Sequence, residues 1–396
     1  MGNRQSGKEG QKIAYRYMHK SVSEQGFQRT WSKATRHCRK ASVLRDPYQA
    51  SQTSWPIPQS EVMFLPEYKV KHNRLESEYK IQCHINKGAY GEVLKVFKSN
   101  EPSSIFAIKV LSKVQVIRNG AIRQCKEEAS IQSAIGHYPF IVRVHAAWQS
   151  KTSLYLVMDY ATHGDLHSLW LLEGAFSEIA TRLYIAEIAM ALAFLHRAGI
   201  IYRDLKMENI LLDEGGHILL SDFGLSKWLK QGGRTSSVCG TLMYMAPEVL
   251  NMGDYDHRVD WWSLGIIMFC LMTGKYPLSG STNHIEMYNK VINKEFKLPP
   301  FVSYPAQDVI LQLLCKDPCA RLSCLATLKR MEFFVGMSFE KVLSKQTPPT
   351  VYLKRKLPKT CQELTLNGVG NDVWKPRPIS RELSFDNFDW IRETDL

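Results

Sequence analysis

Apolar residues recur from residue 81 to residue 97 in the pattern of two short strands with a glycine-bearing segment between them. Gly88 and Gly91 lie in that segment, which predicts a turn joining the strands. Glycine lets backbone N–H groups approach phosphate oxygens closely. A Gly-x-x-Gly pair alone is a weak signal, because such pairs are more often simple turns. The apolar positions are Ile81, Ile85, Val93, Leu94, Val96 and Phe97.

A third apolar segment, Phe106 to Val110, predicts another strand, and Lys109 is the only charged residue in it. A lysine inside a strand needs an acidic partner or a ligand. The pattern from Ile122 to Ile135 predicts a helix, and Glu128 in that helix is the best candidate partner. Glu127 is the second candidate, because counting along the chain cannot fix the helix face that meets the strand.

The longest apolar stretch, Trp261 to Met272, falls short of the 18 residues that suggest a membrane span, so it predicts a buried helix. A chain of 396 residues with 44% hydrophobic content can bury a sizeable core. Nine cysteines without a secretory signal predict a reducing, intracellular, cytoplasmic location. Cys315, Cys319 and Cys324 cluster without neighbouring histidines, which favours core or helix-end cysteines over a zinc site.

The run Tyr202 to Asn209 carries candidate chemistry, and Asp222-Phe223-Gly224 follows it. Phosphoryl transfer needs an aspartate near the acceptor hydroxyl, for which Asp204 is the candidate, and a cation such as Lys206 near the transferring group. It also needs metal-holding oxygens, for which Asn209 and Asp222 are suited. Alone, the run could be a charged loop in any α/β protein.

The positive charge is concentrated at the start of the chain. Of the net +13, residues 1–50 carry eleven Lys or Arg against three Asp or Glu, a net +8. Such a segment is usually a solvated tail, and it could also bind an acidic partner. No specific nucleic-acid partner is expected, because the segment lacks aromatic residues in stacking register.

Gly2 followed by Ser6 fits the pattern for N-myristoylation. One acyl chain binds membranes only marginally, whereas an acyl chain with a basic patch binds stably. The N-terminus therefore predicts a membrane-surface partner and a membrane-associated fraction of the protein. Residues 51–78, which are rich in Pro, Ser and Gln, predict a linker. The C-terminal Leu396 could be captured by a PDZ domain, although a free tail is the simpler interpretation.

Seven motifs, taken in order, resemble the signature set of eukaryotic protein kinases. Tyr202 in place of histidine, the Cys239-Gly240-Thr241 run and a C-terminal tail narrow the resemblance to the AGC group of serine/threonine kinases, nearest the ribosomal S-six kinase-related branch. The motifs are Asn86-x-Gly88-x-x-Gly91-x-Val93, Ala107-Ile108-Lys109, Tyr202-Arg203-Asp204 to Asn209, Asp222-Phe223-Gly224, Ala246-Pro247-Glu248, Asp260-Trp261-Trp262-Ser263-Leu264-Gly265 and Arg321.

The resemblance implies an α+β, bilobal protein kinase fold: a small β-rich lobe with one regulatory helix, a larger α-helical lobe and an AGC-type C-terminal tail. The implied organisation is a basic region at 1–50, a linker at 51–78, a catalytic domain at 79–335 and a tail at 336–396. The implied activity is transfer of the ATP γ-phosphate to Ser or Thr hydroxyls of protein substrates.

Roles can be carried over residue by residue. Asp204 resembles the catalytic base and Lys206 the γ-phosphate lysine, while Lys109 resembles the α/β-phosphate lysine paired with Glu128. Asn209 and Asp222 resemble the Mg²⁺ ligands. The implied ATP-binding residues are Ile85, Asn86, Lys87, Gly88, Ala89, Tyr90, Gly91, Glu92, Val93, Ala107, Lys109, Met158 as gatekeeper, Asp159, Tyr160 and Ala161 as hinge, Asp165 at the ribose, and Leu211.

The resemblance also implies regulation. Ser237 matches the position that an upstream kinase phosphorylates, with Arg203 placed to pair the new charge. Thr235 and Ser236 could substitute for it, and an unmodified serine is the simpler interpretation. Phe385 to Trp390 resembles the AGC hydrophobic motif, whose aromatic residues brace the helix carrying Glu128. Asp389 occupies the usual phosphorylation site there, which predicts docking without phosphorylation.

Two departures weaken the resemblance. Asn86 stands where a glycine is usual, although Asn tolerates left-handed backbone better than most residues. Gln132 stands where the family places an apolar residue beside Val144, Phe223 and Tyr202, so it must find a partner or become exposed. An active kinase is favoured, because every charged group is present. The alternative is a kinase-fold scaffold that binds nucleotide and transfers poorly.

Overall fold

The computed structural model describes residues 58–71, 73–88, 90–230 and 232–349. Its first part contains a six-stranded sheet and four helices. The strands are β1 (Lys69–Val70), β2 (Tyr79–Lys87), β3 (Gly91–Lys98), β4 (Glu101–Ser112), β5 (Val144–Gln149) and β6 (Ser153–Asp159), in the order β1-β5-β6-β4-β3-β2. The helices are α1 (Gln59–Val62), α2 (Arg74–Glu78), α3 (Lys113–Arg118) and α4 (Ile122–Ile135), of which α3 and α4 join β4 to β5.

The predicted hairpin and third strand are confirmed. Strand β3 pairs antiparallel with both β2 and β4, and β4 pairs with β6, so that Ala107 lies opposite Met158. Helix α4 has the bounds that the sequence pattern predicts. The sheet therefore carries Lys109 on a central strand with α4 beside it.

The linker prediction for residues 51–78 is wrong over the residues that the structure describes. Strand β1 pairs in parallel with β5, and Phe64 and Tyr68 are fully buried against α3 and α4. The Pro and Ser content suggested a flexible segment, but two large aromatic side chains four residues apart supply enough apolar surface to fix it to the lobe.

The second part of the structure is mainly helical. Its helices are α5 (Leu166–Glu173), α6 (Glu178–Arg197), α7 (Pro247–Leu250), α8 (Arg258–Thr273), α9 (His284–Asn293), α10 (Tyr304–Leu313), α11 (Leu325–Leu328) and α12 (Phe339–Leu343). Short strands β7 (Ile200–Ile201), β8 (Ile210–Leu212), β9 (Ile218–Leu220) and β10 (Lys227–Trp228) form the two-stranded sheets β10-β7 and β8-β9.

Helices α6 and α8 form the centre of this core. The side chain of Ser177 caps α6 by accepting a hydrogen bond from the N–H of Ala180. The negative charge of Glu178 lies in the first turn, where it stabilises the helix by interacting with the positive end of the helix dipole. Every residue from Val259 to Met272 is buried in α8, which confirms the predicted buried helix. Helix α6 is long and apolar enough to cross a membrane by length and composition alone, but it is mostly buried, as core helices of soluble proteins are.

The last described residues pack on the helical lobe. Phe339 and Val342 of α12 belong to its core, and Lys345 forms a 2.7 Å ion pair with Asp213. The predictions for Gly2, the basic region 1–50, the hydrophobic motif 385–390 and Leu396 concern residues outside those that the structure describes.

Candidate active site

Lys109 and Glu128 form the central ion pair of the site. Strand β4 presents the Lys109 ammonium to α4, and its Nζ lies 2.6 Å from Oε1 of Glu128. This confirms the predicted pairing and excludes Glu127, whose carboxylate instead accepts a 3.2 Å hydrogen bond from the N–H of Trp228. The position of α4 therefore decides whether Lys109 is held in place.

Asp222 meets the same ammonium from the other lobe. Its Oδ1 lies 3.1 Å from the Nζ of Lys109, and its side chain is about half exposed, at 51%. The Asp222 backbone has φ 50°, a left-handed conformation that is strained for a non-glycine residue. Such strain persists only when the surroundings enforce it, and here it turns the carboxylate toward Lys109.

Electrostatics favour the charged forms of Lys109 and Asp222. The Lys109 ammonium lowers the pKa of Asp222 below its usual value. Burial alone would lower the pKa of Lys109, but the carboxylates of Glu128 and Asp222 outweigh burial and raise it. Burial raises the pKa of Glu128, and Lys109 opposes this. We take the pair as ionised at neutral pH, because a 2.6 Å charge-assisted hydrogen bond joins two groups with opposite charges.

Asp204 lies at the centre of a hydrogen-bond network. Its Oδ2 accepts hydrogen bonds from the Nζ of Lys206 at 2.7 Å and from the Nδ2 of Asn209 at 3.0 Å. The hydroxyl of Thr241 donates to its Oδ1 at 2.9 Å, and Lys206 donates to that hydroxyl at 3.1 Å. The structure thus brings together the acid, the lysine and the asparagine that the sequence singled out, and it adds Thr241.

Asp260 fixes the backbone of the loop that carries Asp204. Its buried carboxylate accepts hydrogen bonds from the N–H groups of Tyr202 and Arg203 at 3.0 and 2.8 Å, and from Nε2 of His196 at 2.8 Å. Arg203 has φ 70°, so these bonds hold a strained backbone. Asp260 and Thr241 belong to motifs of the sequence, but the sequence alone gives them no role, because both act across long sequence separations. Their presence within recurrent motifs was the only signal.

The predicted adenine-binding residues form one apolar cluster. Ala107 and Met158 are buried in it, and Val93, Leu211 and Tyr160 pack against them. They lie on four strands and the segment after β6, so the fold collects them although the chain separates them. Tyr90 also packs against this cluster. Ala161 is buried where the chain passes from β6 toward α5.

Two of the predicted nucleotide-binding residues have visible structural tasks. Asp165 caps α5, because its carboxylate accepts hydrogen bonds from the N–H and the hydroxyl of Ser168 at 2.8 and 2.9 Å. Asp159 holds the His145 ring, with Oδ1 2.6 Å from Nε2. Contact of Asp165 with ribose and of the 159–161 backbone with adenine stays a prediction.

The two turn glycines have different surroundings. A Cβ on Gly91 would collide with the carbonyl oxygen of Val110, so glycine is required at this position, where β3 begins to pair with β4. A Cβ on Gly88 would meet only the Gly91 oxygen, at 3.9 Å, so the structure has room for a side-chain atom at Gly88. Asn86 lies within β2 and has no positive φ, so its tolerance of left-handed backbone is not used. The remaining turn residues follow: Ile85 and Lys87 in β2, Glu92 opposite Lys87 in β3, and Ala89 outside the described residues.

The candidate regulatory serine lies next to an arginine. The Nη1 of Arg203 donates a 2.7 Å hydrogen bond to the Ser237 hydroxyl, and the side chain of Ser237 is exposed. Thr235 is buried and forms a bridge with Tyr255, whereas Ser236 is exposed. Among the three predicted candidates, Ser237 combines access with a cationic partner.

Gln132 is buried rather than exposed. Its side-chain oxygen has no hydrogen-bond partner among the described residues. Tyr202 and Phe223 pack edge to face at 5.1 Å, and both are buried. The amide was expected to find a partner or reach water, and its oxygen does neither in the described part of the chain.

Comparison with known proteins places the chain in a family. The protein kinase domain matches residues 79–334. The chain therefore belongs to the protein kinase family, with the sheet-rich and helical lobes of that fold. The site described above lies within the residues that this domain matches.

Named relatives refine this assignment. The chain is 42% identical over 294 residues to a human ribosomal protein S6 kinase-related protein, covering 74% of this chain and 71% of the relative. It is 38% identical over 305 residues to a putative serine/threonine-protein kinase of Caenorhabditis elegans, covering 76% and 68%. It is 39% identical over 280 residues to ribosomal protein S6 kinase alpha-2 of Mus musculus, covering 69% and 38%.

The chain is thus a serine/threonine protein kinase of the AGC group, related to the ribosomal S6 kinases, and it acts on protein substrates. The scaffold alternative is not favoured. Kinase domains in general use ATP and Mg²⁺.

Proposed function

We propose that Asp204 receives the proton of a Ser or Thr hydroxyl while Lys109 and Lys206 align and neutralise the phosphates of ATP, and that Asp222 would hold the Mg²⁺ bound to those phosphates. The observation that carries this proposal is the convergence of five charged groups from both lobes. Lys109 is within 3.1 Å of carboxylates on each side, and Lys206 is 2.7 Å from Asp204. Each of these charges has a task in phosphoryl transfer.

The residues fit a magnesium ion bound together with phosphates. Carboxylate and amide oxygens such as those of Asp222 and Asn209 are suited to Mg²⁺, which keeps several waters and phosphate oxygens as further ligands. Within the described residues, no group of three or more His, Cys, Asp or Glu side chains could hold a metal alone. When bound, Mg²⁺ would neutralise charge on the transferring phosphoryl group.

The proton and bond changes balance without a further reactant. The acceptor oxygen loses its proton to an Asp204 carboxylate oxygen and forms a bond to the γ-phosphorus. The bond from that phosphorus to the oxygen bridging to the β-phosphorus breaks, and ADP leaves. Lys206, hydrogen-bonded to Asp204 and Thr241, lies on the acceptor side, where it offsets negative charge on the transferring group.

The test is Mg·ATP-dependent phosphorylation of a basic Ser/Thr peptide mixture by the full chain. Asp204→Asn should lower kcat by about 10²- to 10⁴-fold, because it removes the proton acceptor. Asp222→Ala should remove transfer and shift the Mg²⁺ dependence. Wild-type protein that ATP stabilises without any transfer would contradict the proposal.

We infer that the exposed Ser237 is a phosphorylation site for an upstream kinase. Support comes from Arg203, whose guanidinium is already 2.7 Å from the hydroxyl, since a phosphate would gain charge-assisted hydrogen bonds there. Ser237→Ala should prevent activation by cell extract with ATP, and Ser236→Ala is the matched control. Equal activation of both variants would contradict this inference.

We further propose that the protein is intracellular, with a fraction held at membranes by a Gly2 acyl chain and the basic residues that follow. Support comes from the sequence pattern and the +8 charge of residues 1–50. Gly2→Ala should move the protein to the soluble fraction, and a variant that stays on membranes would contradict the proposal. Capture of Leu396 by a PDZ domain is a separate proposal, which deletion of that residue tests by loss of binding.

A further inference from the structure

Residues 58–71, here called the N-terminal brace, precede the matched kinase domain and pack on the regulatory helix α4. Phe64 and Tyr68 of the brace are fully buried. They share a core cluster with Val116 of α3 and with Cys125 and Ala129 of α4. The brace thus covers the turn of α4 that leads to Glu128.

Polar contacts tie the brace to the same helix. The hydroxyl of Tyr68 donates a 3.3 Å hydrogen bond to the carbonyl of Cys125. The next residue of α4, Lys126, donates to the Leu65 carbonyl at 2.6 Å and forms a 3.2 Å ion pair with Glu67. These contacts lie within one helical turn of Glu128, so a shift of the brace would move the carboxylate that holds Lys109.

The other side of the brace is fixed to the sheet and to α3. The buried side chain of Gln149 in β5 donates to the carbonyls of Glu61 and Tyr68 at 2.9 and 2.6 Å. The buried ammonium of Lys113 donates to the Ser60 carbonyl at 3.1 Å. Together with the β1–β5 pairing, these bonds fix the brace to the sheet and to α3, and α4 packs against it.

We propose that the N-terminal brace sets the position of α4, and that Phe64 and Tyr68 are positioning residues for the Lys109–Glu128 ion pair. This inference rests on the proposed catalytic roles of that pair. It extends the kinase unit of this chain upstream of residue 79. It also means that α4 is supported by contacts from the N-terminal side, whatever the segment 385–390 does.

The test compares full-chain variants that remove support for α4 with one that removes a buried aromatic side chain elsewhere in the small lobe. Phe64→Ala/Tyr68→Ala should lower kcat/KM for ATP by about tenfold or more, because Lys109 loses its fixed partner. Tyr79→Ala is the matched control, since Tyr79 is also buried and stacks on Trp148 in a separate cluster. It should stay within about threefold of wild type.

A thermodynamic cycle separates positioning from general stability. In a Glu128→Gln background, the same double alanine change should alter kcat/KM for ATP by less than about twofold, because the group it positions is already gone. Equal effects in both backgrounds would overturn the proposal. Hydrogen exchange should also rise in α4 of the brace variant and not in the Tyr79→Ala control.

A milder variant keeps the test decisive if the double alanine protein does not fold. Tyr68→Phe/Lys126→Met removes the polar bonds to α4 without opening a cavity, and a loss of about threefold in kcat/KM for ATP is expected. Wild-type values for this variant, or a loss in Phe388→Ala with none in the brace variants, would overturn the proposal. Wild-type transfer in the same assay tests the proposed function separately.

Discussion

At the scale of single residues, the buried amide of Gln132 is the clearest local conflict. An unsatisfied buried polar atom costs about 1–3 kcal/mol, so Gln132→Leu should raise the free energy of unfolding by about 1 kcal/mol or more. Activity should rise with it, since Gln132 lies on the helix that carries Glu128. Denaturant unfolding measures the first effect and peptide phosphorylation the second.

The control for that change is Gln115→Leu, because Gln115 is exposed on the neighbouring α3. Its stability should change by no more than about 0.5 kcal/mol. Equal stabilisation by both substitutions would show that the gain comes from added apolar surface rather than from removal of the unpaired amide.

Lys113 provides a pH-dependent test of the brace. Burial lowers its pKa from 10.5 to about 8, and the Glu61 carboxylate opposes this. Between those pH values the unfolded chain binds more protons than the folded one, so the contribution of Lys113 to the free energy of unfolding rises with pH. Below pH 8 both states are protonated and the contribution is constant.

The measurement is the difference in free energy of unfolding between wild type and Lys113→Met at several pH values. The free energy of unfolding of the wild type, minus that of Lys113→Met, should increase from about pH 8 to 10.5. Taking the difference removes other groups that titrate there, such as Cys125, whose pKa burial raises to about 12. A difference that does not vary with pH would contradict the lowered pKa of Lys113 in the folded protein.

At the scale of elements, the two glycines of the β2–β3 hairpin are expected to have different roles, Gly91 in folding and Gly88 in ATP binding. Gly91→Ala should destabilise the small lobe by about 1–3 kcal/mol, because the new methyl group meets the Val110 carbonyl. Gly88→Ala has space, so it should leave stability within about 0.5 kcal/mol of wild type and raise KM for ATP. Thermal unfolding and ATP kinetics on both variants check this, and the reverse assignment of effects would contradict it.

The elements that the sequence could predict are those with a strong local pattern. Helix α4 and the apolar α8 follow from periodicity and continuous hydrophobicity, which are properties of short windows. Residues 58–71 could not be predicted in this way. The decisive contacts of Phe64 and Tyr68 are with residues far along the chain, such as Cys125, which lies 57 positions after Tyr68, and the local composition resembles a linker.

The same limit applies to the site. Recurrent motifs identified Asp204, Lys206, Asn209 and Asp222, and the structure brings these residues close to one another or to Lys109. The contact of Thr241 with Asp204 could be recognised only in the structure, because this hydrogen bond joins residues 37 positions apart. The choice of Glu128 over Glu127 also required the orientation of α4, which a pattern alone does not contain.

At the scale of the whole molecule, Arg321 joins the end of the segment after Asp222 to the helical core. Its buried guanidinium makes a bidentate pair with Glu248 at 2.6 and 2.9 Å and lies 5.2 Å from the Trp262 ring. Arg321→Met should cost about 3–5 kcal/mol, because it leaves the Glu248 carboxylate unpaired in the interior.

Arg321→Met/Glu248→Met should recover part of that stability, since replacing both members of a buried pair with apolar residues is often nearly neutral. Chemical unfolding of the two variants provides the comparison. A double variant that is less stable than the single one would show that the cost comes from packing at Trp262 rather than from the unpaired charge.

The parallel pairing of β1 with β5 has a consequence for shortened forms of this kinase. Strand β1 lies at the end of the sheet order, so it covers the hydrogen-bonding groups on one side of β5. A fragment that begins at residue 79, where the family match starts, would leave β5 as an open edge beside bare apolar surface on α4. Such edges pair with other chains, so a fragment cut there should self-associate, whereas one that begins near residue 57 should remain monodisperse.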